Sequence, residues 1–206
     1  MKQSGFLFIP DISGFTRFVK SVEIRHSQHI IQELLETLLD ANEMELDVSE
    51  VEGDAILFYK LGDSPDMDTT YKQVERMFTA FHQHLERYES RRTCHCNACM
   101  SAIHLSLKII THYGEFTEYR IKNFLKLIGK DVIVAHQLLK NDIPQHEYWL
   151  ITKNFAGDKT PEQFTPSLSW DEGRKEVDKE EIGYHFAQLT FLRKVAEPGK
   201  SESANT

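Results

Sequence analysis

The sequence predicts an α+β domain in which a mostly antiparallel sheet carries helices on one face. Three observations lead there. Residues 27–42 place Ile30, Ile31, Leu34, Leu35, Leu38 and Leu39 at spacings of three and four, and a later stretch does the same with Val74, Met77, Phe78, Phe81 and Leu85; both are helical stripes. Several short runs are continuously apolar or alternate with period two, as strands do. The order along the chain is strand, helix, hairpin, helix, strand, helix, strand, strand, which is neither a βαβ series nor an all-β pattern.

Residues 5–10, GFLFIP, read as a buried strand ended by Pro10, followed by the polar loop DISGFT that leads into a helix. Residues 44–52 alternate with Met44, Leu46, Val48 and Glu50 on one face, and Gly53-Asp54 turns the chain into AILFY, giving a hairpin. Residues 61–69 form a polar loop before the second helix, and ESRRTCHCNACMS then breaks the pattern. Ile103, Leu105, Leu107 and Ile109 alternate as a strand that ends near His112-Tyr113-Gly114, and a charged linking segment follows. Val132, Ala135, Leu138 and Leu139 mark a helix stopped near Asn141, before Pro144. Residues 147–152 read as a strand, residues 156–181 as a charged excursion without periodicity, and residues 184–192 as the last strand. The expected organisation is one domain over residues 1–195, with a core at about 5–155 and a flexible tail at 196–206.

With 40% hydrophobic residues in 206, the chain has enough apolar material for a core, which argues against disorder. A net charge of -8 disfavours nucleic acid and anionic membrane as partners. No apolar run approaches the roughly 20 residues that span a bilayer, and the first residues read as a strand and not a signal peptide, so a cytoplasmic location is expected. There is no Walker A loop, dinucleotide fingerprint, zincin motif or nucleophile elbow.

Four segments in order carry a resemblance: FIPDISGFT (residues 8–16), VEGDAIL (51–57), LSLKIITHYG (105–114) and GKDVIVAHQL (129–138). Together they resemble the catalytic domain of class III nucleotidyl cyclases, and the chain is also similar to an uncharacterised bacterial group of cyclase-related domains that shares its cysteine cluster. The resemblance implies a ferredoxin-like antiparallel or mixed sheet. It implies that Asp11 and Asp54 hold Mg²⁺ or Mn²⁺, hard ions suited to carboxylates and phosphates, and that Ile12, Ser13, Gly14, Phe15 and Thr16 wrap a triphosphate. Read from the residues alone, Asp11 caps a turn and Asp54 serves the hairpin. Glu50 and Lys126 match the two base-reading positions. A carboxylate there accepts from the N1 and N2 donors of guanine, favouring GTP over ATP; a Glu50–Lys126 salt bridge closing the pocket is the competing explanation.

The departures matter more. Ile133 and Gln137 occupy the positions of the family's ribose-orienting asparagine and transition-state arginine. Isoleucine makes no hydrogen bond and glutamine lacks a fixed cationic fork; Lys126, Lys130 and Lys140 are the cations nearby in sequence. Efficient cyclisation is therefore not expected. Since family sites form between two such domains, the resemblance implies a homodimer, or a heterodimer with a complementary cyclase-like domain.

Cys94, Cys96 and Cys99 stand apart from this comparison. Three thiols within six residues suit structural Zn²⁺, with His82, His84 or His104 as the expected fourth ligand; redox chemistry and no shared role are the alternatives. His26 and His29 carry no separate signal, and His112 reads as a local turn-fixing group. Three functions follow: a degenerate cyclase-like module that binds a metal–nucleoside triphosphate or signals as a dimer, an active guanylate-type cyclase or related phosphoryl-transfer enzyme, and a purely structural interaction domain.

Overall fold

The computed structural model describes residues 3–91, 93–94, 96–157, 159–163, 165 and 167–195. The long β1 (Gln3–Ser13) is antiparallel to β3 (Ala55–Leu61) on one side and to β4 (Ser106–Ile121) on the other, and β2 (Asp47–Glu52) borders β3. Beyond β4 come β6 (Tyr148–Thr152), which is parallel to it, then β8 (Glu180–Gln188) and the edge strand β7 (Trp170–Val177); β5 (Phe124–Ile128) folds back on the end of β4. The sheet is thus mixed.

Alternation along β1 builds two cores. Phe6, Phe8 and Ile12 point to the face covered by α1 (Phe15–Ser21), α2 (Ile24–Asp40), α3 (Met67–Arg91) and the short α4 (Asn97–Ser101), where Leu34, Leu38, Phe78 and Phe81 are fully buried. The main helical layer lies on one face as the sequence predicts. A further helix, α5 (Lys130–Leu138), packs Val134, Ala135 and Leu138 against Leu7 and Ile9 on the opposite face. With both faces covered, β1 reads as an unbroken apolar run. The short α6 (Lys153–Ala156) and α7 (Leu192–Val195) add Phe155, Ala156 and Leu192 to the first of these cores.

Several boundaries differ from expectation, each for a physical reason. Pro10 does not end β1: it pairs with Ile109 of β4, while the ladder to β3 skips from Phe8 to Asp11, so no strand hydrogen bond misses the absent N–H. β4 does not stop at Gly114. It starts after a 3₁₀ turn (Ala102–His104) that takes up Ile103 and runs on to Ile121, making a hairpin with β5. The excursion over residues 156–181 contains β7, an edge strand whose charged residues hide any alternation and whose turn to β8 uses Asp178 and Lys179 at positive φ. The last strand correspondingly runs over Glu180–Gln188 and not residues 184–192. Val48 is exposed because the β2–β3 register shifts between Val48 and Glu50. The tail at 196–206 lies outside the described residues, as do Arg92 and His95. No described helix is long and apolar enough to cross a membrane.

Candidate functional site

A cleft of about 980 Å³ opens where β1, the β2–β3 turn, the start of β4 and the end of α5 meet. The residues of FIPDISGFT and VEGDAIL converge here. Asp11 sits near the end of β1, and Asp54 is held beside it because the Ile12 N–H donates to the Asp54 carbonyl at 3.0 Å. Gly53 (φ 61) and Gly14 (φ 90) make the two left-handed turns that expose these segments. Burial pushes the Asp54 carboxyl up to about 6, with repulsion from Asp11 adding to it. Burial also raises Asp11, against the pull of Lys108, whose Nζ lies 3.3 Å from Asp11 Oδ1. Lys108 pairs directly with Asp11 across the sheet and also donates to the Leu139 carbonyl. Sequence reasoning missed this lysine; a charged residue inside the apolar run LSLKII was the available signal.

Of the predicted loop, Ser13, Gly14, Phe15 and Thr16 line the cleft, whereas Ile12 at its edge is fully buried and its N–H is already bonded to the Asp54 carbonyl. Glu50 reaches the same cleft but is engaged within the chain: Lys126 Nζ on β5 donates to Glu50 Oε2, and His136 Nε2 lies 3.6 Å from Oε1. Glu50, Glu52 and His136 bring their ligand atoms within 4.8 Å of one another and have the composition to hold a metal ion. Gln137 lies on the cleft wall with Lys140, and Ile133 is half exposed on α5 outside it. Lys130 pairs with Glu180 instead. His112 is fully buried: its Nδ1 meets Thr152 Oγ1 and its Nε2 meets Asp131 Oδ1, both at 2.8 Å. Asp131 Oδ2 accepts from the Glu115 N–H, and a Cβ at position 114 would lie 2.1 Å from Asp131 Cγ. This glycine and histidine thus join β4, α5 and β6.

The thiols gather on the far side of α4. The distances from His26 Nδ1, on the first turn of α2, are 3.0 Å to Cys96 Sγ and 3.7 Å to both Cys94 Sγ and Cys99 Sγ. All four ligand atoms lie within 4.8 Å of one another, and the cysteines are free of disulfides. The Cys96 thiol is held down to about 6, first by the Cys99 N–H and then by His26.

None of the three histidines expected as a fourth ligand joins this group. His82 is buried between Phe78 and Phe81, His84 bonds Glu33 and Thr37, and His104 lines the cleft. The spacing that favoured them reflected nearness in sequence, while His26 arrives through the packing of α2 on α4.

The fold is that of class III cyclases. A guanylyl cyclase, Cya2, superposes with a TM-score of 0.66 at 11% identity, over 91% of this chain and 92% of the other. The adenylyl cyclase CyaB of P. aeruginosa gives 0.59 at 13% over 91% and 94%. The guanylate cyclase domain of RhGC from Catenaria anguillulae, solved in complex with GTP, gives 0.56 at 14% over 90% and 96%. Among curated proteins, the uncharacterized protein Rv2561/Rv2562 of Mycobacterium tuberculosis is 32% identical over 120 residues, which span 58% of this chain and 56% of that relative's length. Residues 31–148, more than half of the chain, match one family model, and the protein belongs to that family, described as protein of unknown function (DUF2652).

Proposed function

We propose that this protein is a cyclase-fold module that binds a metal–nucleoside triphosphate, acts as a homodimer in signalling, and does not cyclise efficiently. The observation that carries this reading is the placement of Asp11 beside Asp54 in the cleft; the sequence resemblance, for its part, matches Ile133 and Gln137 to the family's asparagine and arginine. Two partly buried carboxylates, both raised by burial and Asp54 further by the charge of Asp11, form a donor set whose desolvation and repulsion a hard divalent cation relieves. Lys108 already neutralises one of the two charges, so the set suits one Mg²⁺ or Mn²⁺ better than two. When bound, that ion supplies charge neutralisation for phosphate oxygens. Arg17, Lys108 and Lys140 around the cleft add positive charge for a triphosphate. Without an arginine fork aimed at the developing charge, a cyclase loses several orders of magnitude in rate.

Glu50 and Lys126 together suit guanine, the carboxylate accepting from N1 and N2 and the ammonium donating to O6. Dimerisation is supported by two apolar surfaces. One gathers Val19, Ile24, Leu39 and Val51; the other lies on the β4–β5 hairpin, where Ile121, Phe124 and Ile128 are exposed.

The test is calorimetric titration of the zinc-replete protein with a nonhydrolysable GTP analogue and Mn²⁺, repeated with the ATP analogue. Saturable binding lost in the Asp11→Asn/Asp54→Asn double variant is expected, with no cyclic product formed from GTP. A flat titration with a folded dimer overturns the reading and favours an interaction domain whose base pocket is closed by the Glu50–Lys126 pair. Cyclic product lost in Asp54→Ala would make the protein a cyclase.

A further inference from the structure

We propose that His26, Cys94, Cys96 and Cys99 bind one zinc ion, which clamps the first turn of α2 to the segment forming one wall of the cleft. The site stands whether or not the cleft takes a nucleotide.

The spacing of the imidazole from the three sulfurs is that of a tetrahedral zinc site. Zinc bonds of about 2.3 Å to sulfur and 2.05 Å to nitrogen put an N···S edge at roughly 3.6 Å. The observed edges from His26 Nδ1 are 3.0, 3.7 and 3.7 Å. Three thiolates and an imidazole complete a closed Cys₃His set, leaving no open position for a reacting ligand, which is the mark of a structural site. Soft sulfur ligands exclude Mg²⁺ and Ca²⁺.

A second layer supports the first. Two of the sulfurs accept a hydrogen bond from outside the ligand set's side chains, Cys94 Sγ from the Cys96 N–H at 3.5 Å and Cys99 Sγ from the Tyr88 hydroxyl at 3.0 Å. Such donors hold the sulfurs in position, as outer-shell groups of metal sites do.

The consequence lies in what the site joins. His26 and the cysteines are about seventy residues apart in sequence, and Cys96 opens α4, which runs through the 3₁₀ turn straight into β4. Ser101, His104 and Leu105 from this segment line the cleft, and Gly14 of the opposite loop rests near Leu105 and the His104 carbonyl. A five-residue helix is too short to hold its place by itself. Fixing its first turn to α2 therefore fixes the wall.

The test starts with the zinc content of the full chain purified under reducing conditions, followed by replacement with Co²⁺. One zinc per chain is expected, with thiolate-to-cobalt charge-transfer bands and the visible bands of a tetrahedral ion. His26→Ala and Tyr88→Phe should weaken metal binding, by roughly 100-fold and 10-fold, while His26→Cys retains zinc and His82→Ala has no effect. Should His26→Ala fail to fold, the wild-type cobalt spectrum and His26→Cys still decide. Substoichiometric zinc without a cobalt spectrum, or a mass showing a disulfide between two of the cysteines, overturns the site. Hydrogen exchange over residues 12–17 and 101–106 should rise on chelation; bound metal with unchanged exchange there overturns the clamp.

Discussion

The two clusters on either side of α4 are built in opposite ways. The cleft cluster is hard and open: carboxylates from two strands, a lysine set against one of them, and about 980 Å³ of space in front. The thiol cluster is soft and closed, with four ligand atoms facing one another and two of the sulfurs supplied with a hydrogen-bond donor from a neighbouring group. Open sets with unbalanced charge bind something that comes and goes, whereas closed sets hold an ion that stays. Ligand binding is thus expected at the first cluster and stability at the second.

The largest effect should come from breaking the closed cluster. Cys96→Ser, or chelation of the wild type, should cost about 4 kcal/mol or more, since metal loss belongs among the most severe single changes; calorimetric unfolding with and without chelator measures it. A loss below 1 kcal/mol would erase the distinction between the two regions.

Next comes a pair that belongs to neither cluster. Asp131→Ala leaves buried His112 without its carboxylate and the Glu115 N–H without its acceptor, which should cost about 3 kcal/mol in denaturant unfolding. Its effect on nucleotide titration should come only through lost stability, which would separate this His–Asp pair from a catalytic one.

His82 sharpens the contrast with His26. Burial first, then Arg193, depresses the His82 imidazole to about 3, and its Nε2 has no hydrogen-bond partner, with Glu147 Oε1 3.8 Å away. A histidine whose folded value lies below its unfolded value stabilises the fold fully above the unfolded value, about 6.5, and that stability is lost as pH falls below it. The limiting slope is about 1.4 kcal/mol per pH unit, so roughly 2 kcal/mol is lost by pH 5. Melting curves of His82→Leu should show a flatter acid limb with zinc content unchanged.

The smallest effect is expected at Asp54. Its raised value means that ionisation opposes folding: the penalty is present above about 6 and disappears as pH falls toward the unfolded value of 3.8. In metal-free protein, Asp54→Asn should therefore stabilise at pH 7.5 by less than about 1 kcal/mol, screened by the open cleft, and the gain should vanish at pH 4. Unchanged melting at both pH values would mean that neither burial nor the charge of Asp11 raises the Asp54 carboxyl.

What the chain reveals without its fold is local: the two helical stripes, the apolar run of β1, the Gly53-Asp54 turn and the thiol spacing are each readable within a few neighbouring residues. β7 was illegible because an edge strand needs no apolar face, and the continuation of β4 looked like a linker because its charged residues find their partners only across the hairpin with β5. Tertiary structure alone decided that Lys108 stands opposite Asp11, that Glu50 meets Lys126, and that His26, seventy residues from Cys96, is the imidazole facing the thiols. Pairing across strands and packing between helices join residues of any separation. Such contacts leave no periodic trace in one chain, so the ligands were visible in the sequence while their grouping was not.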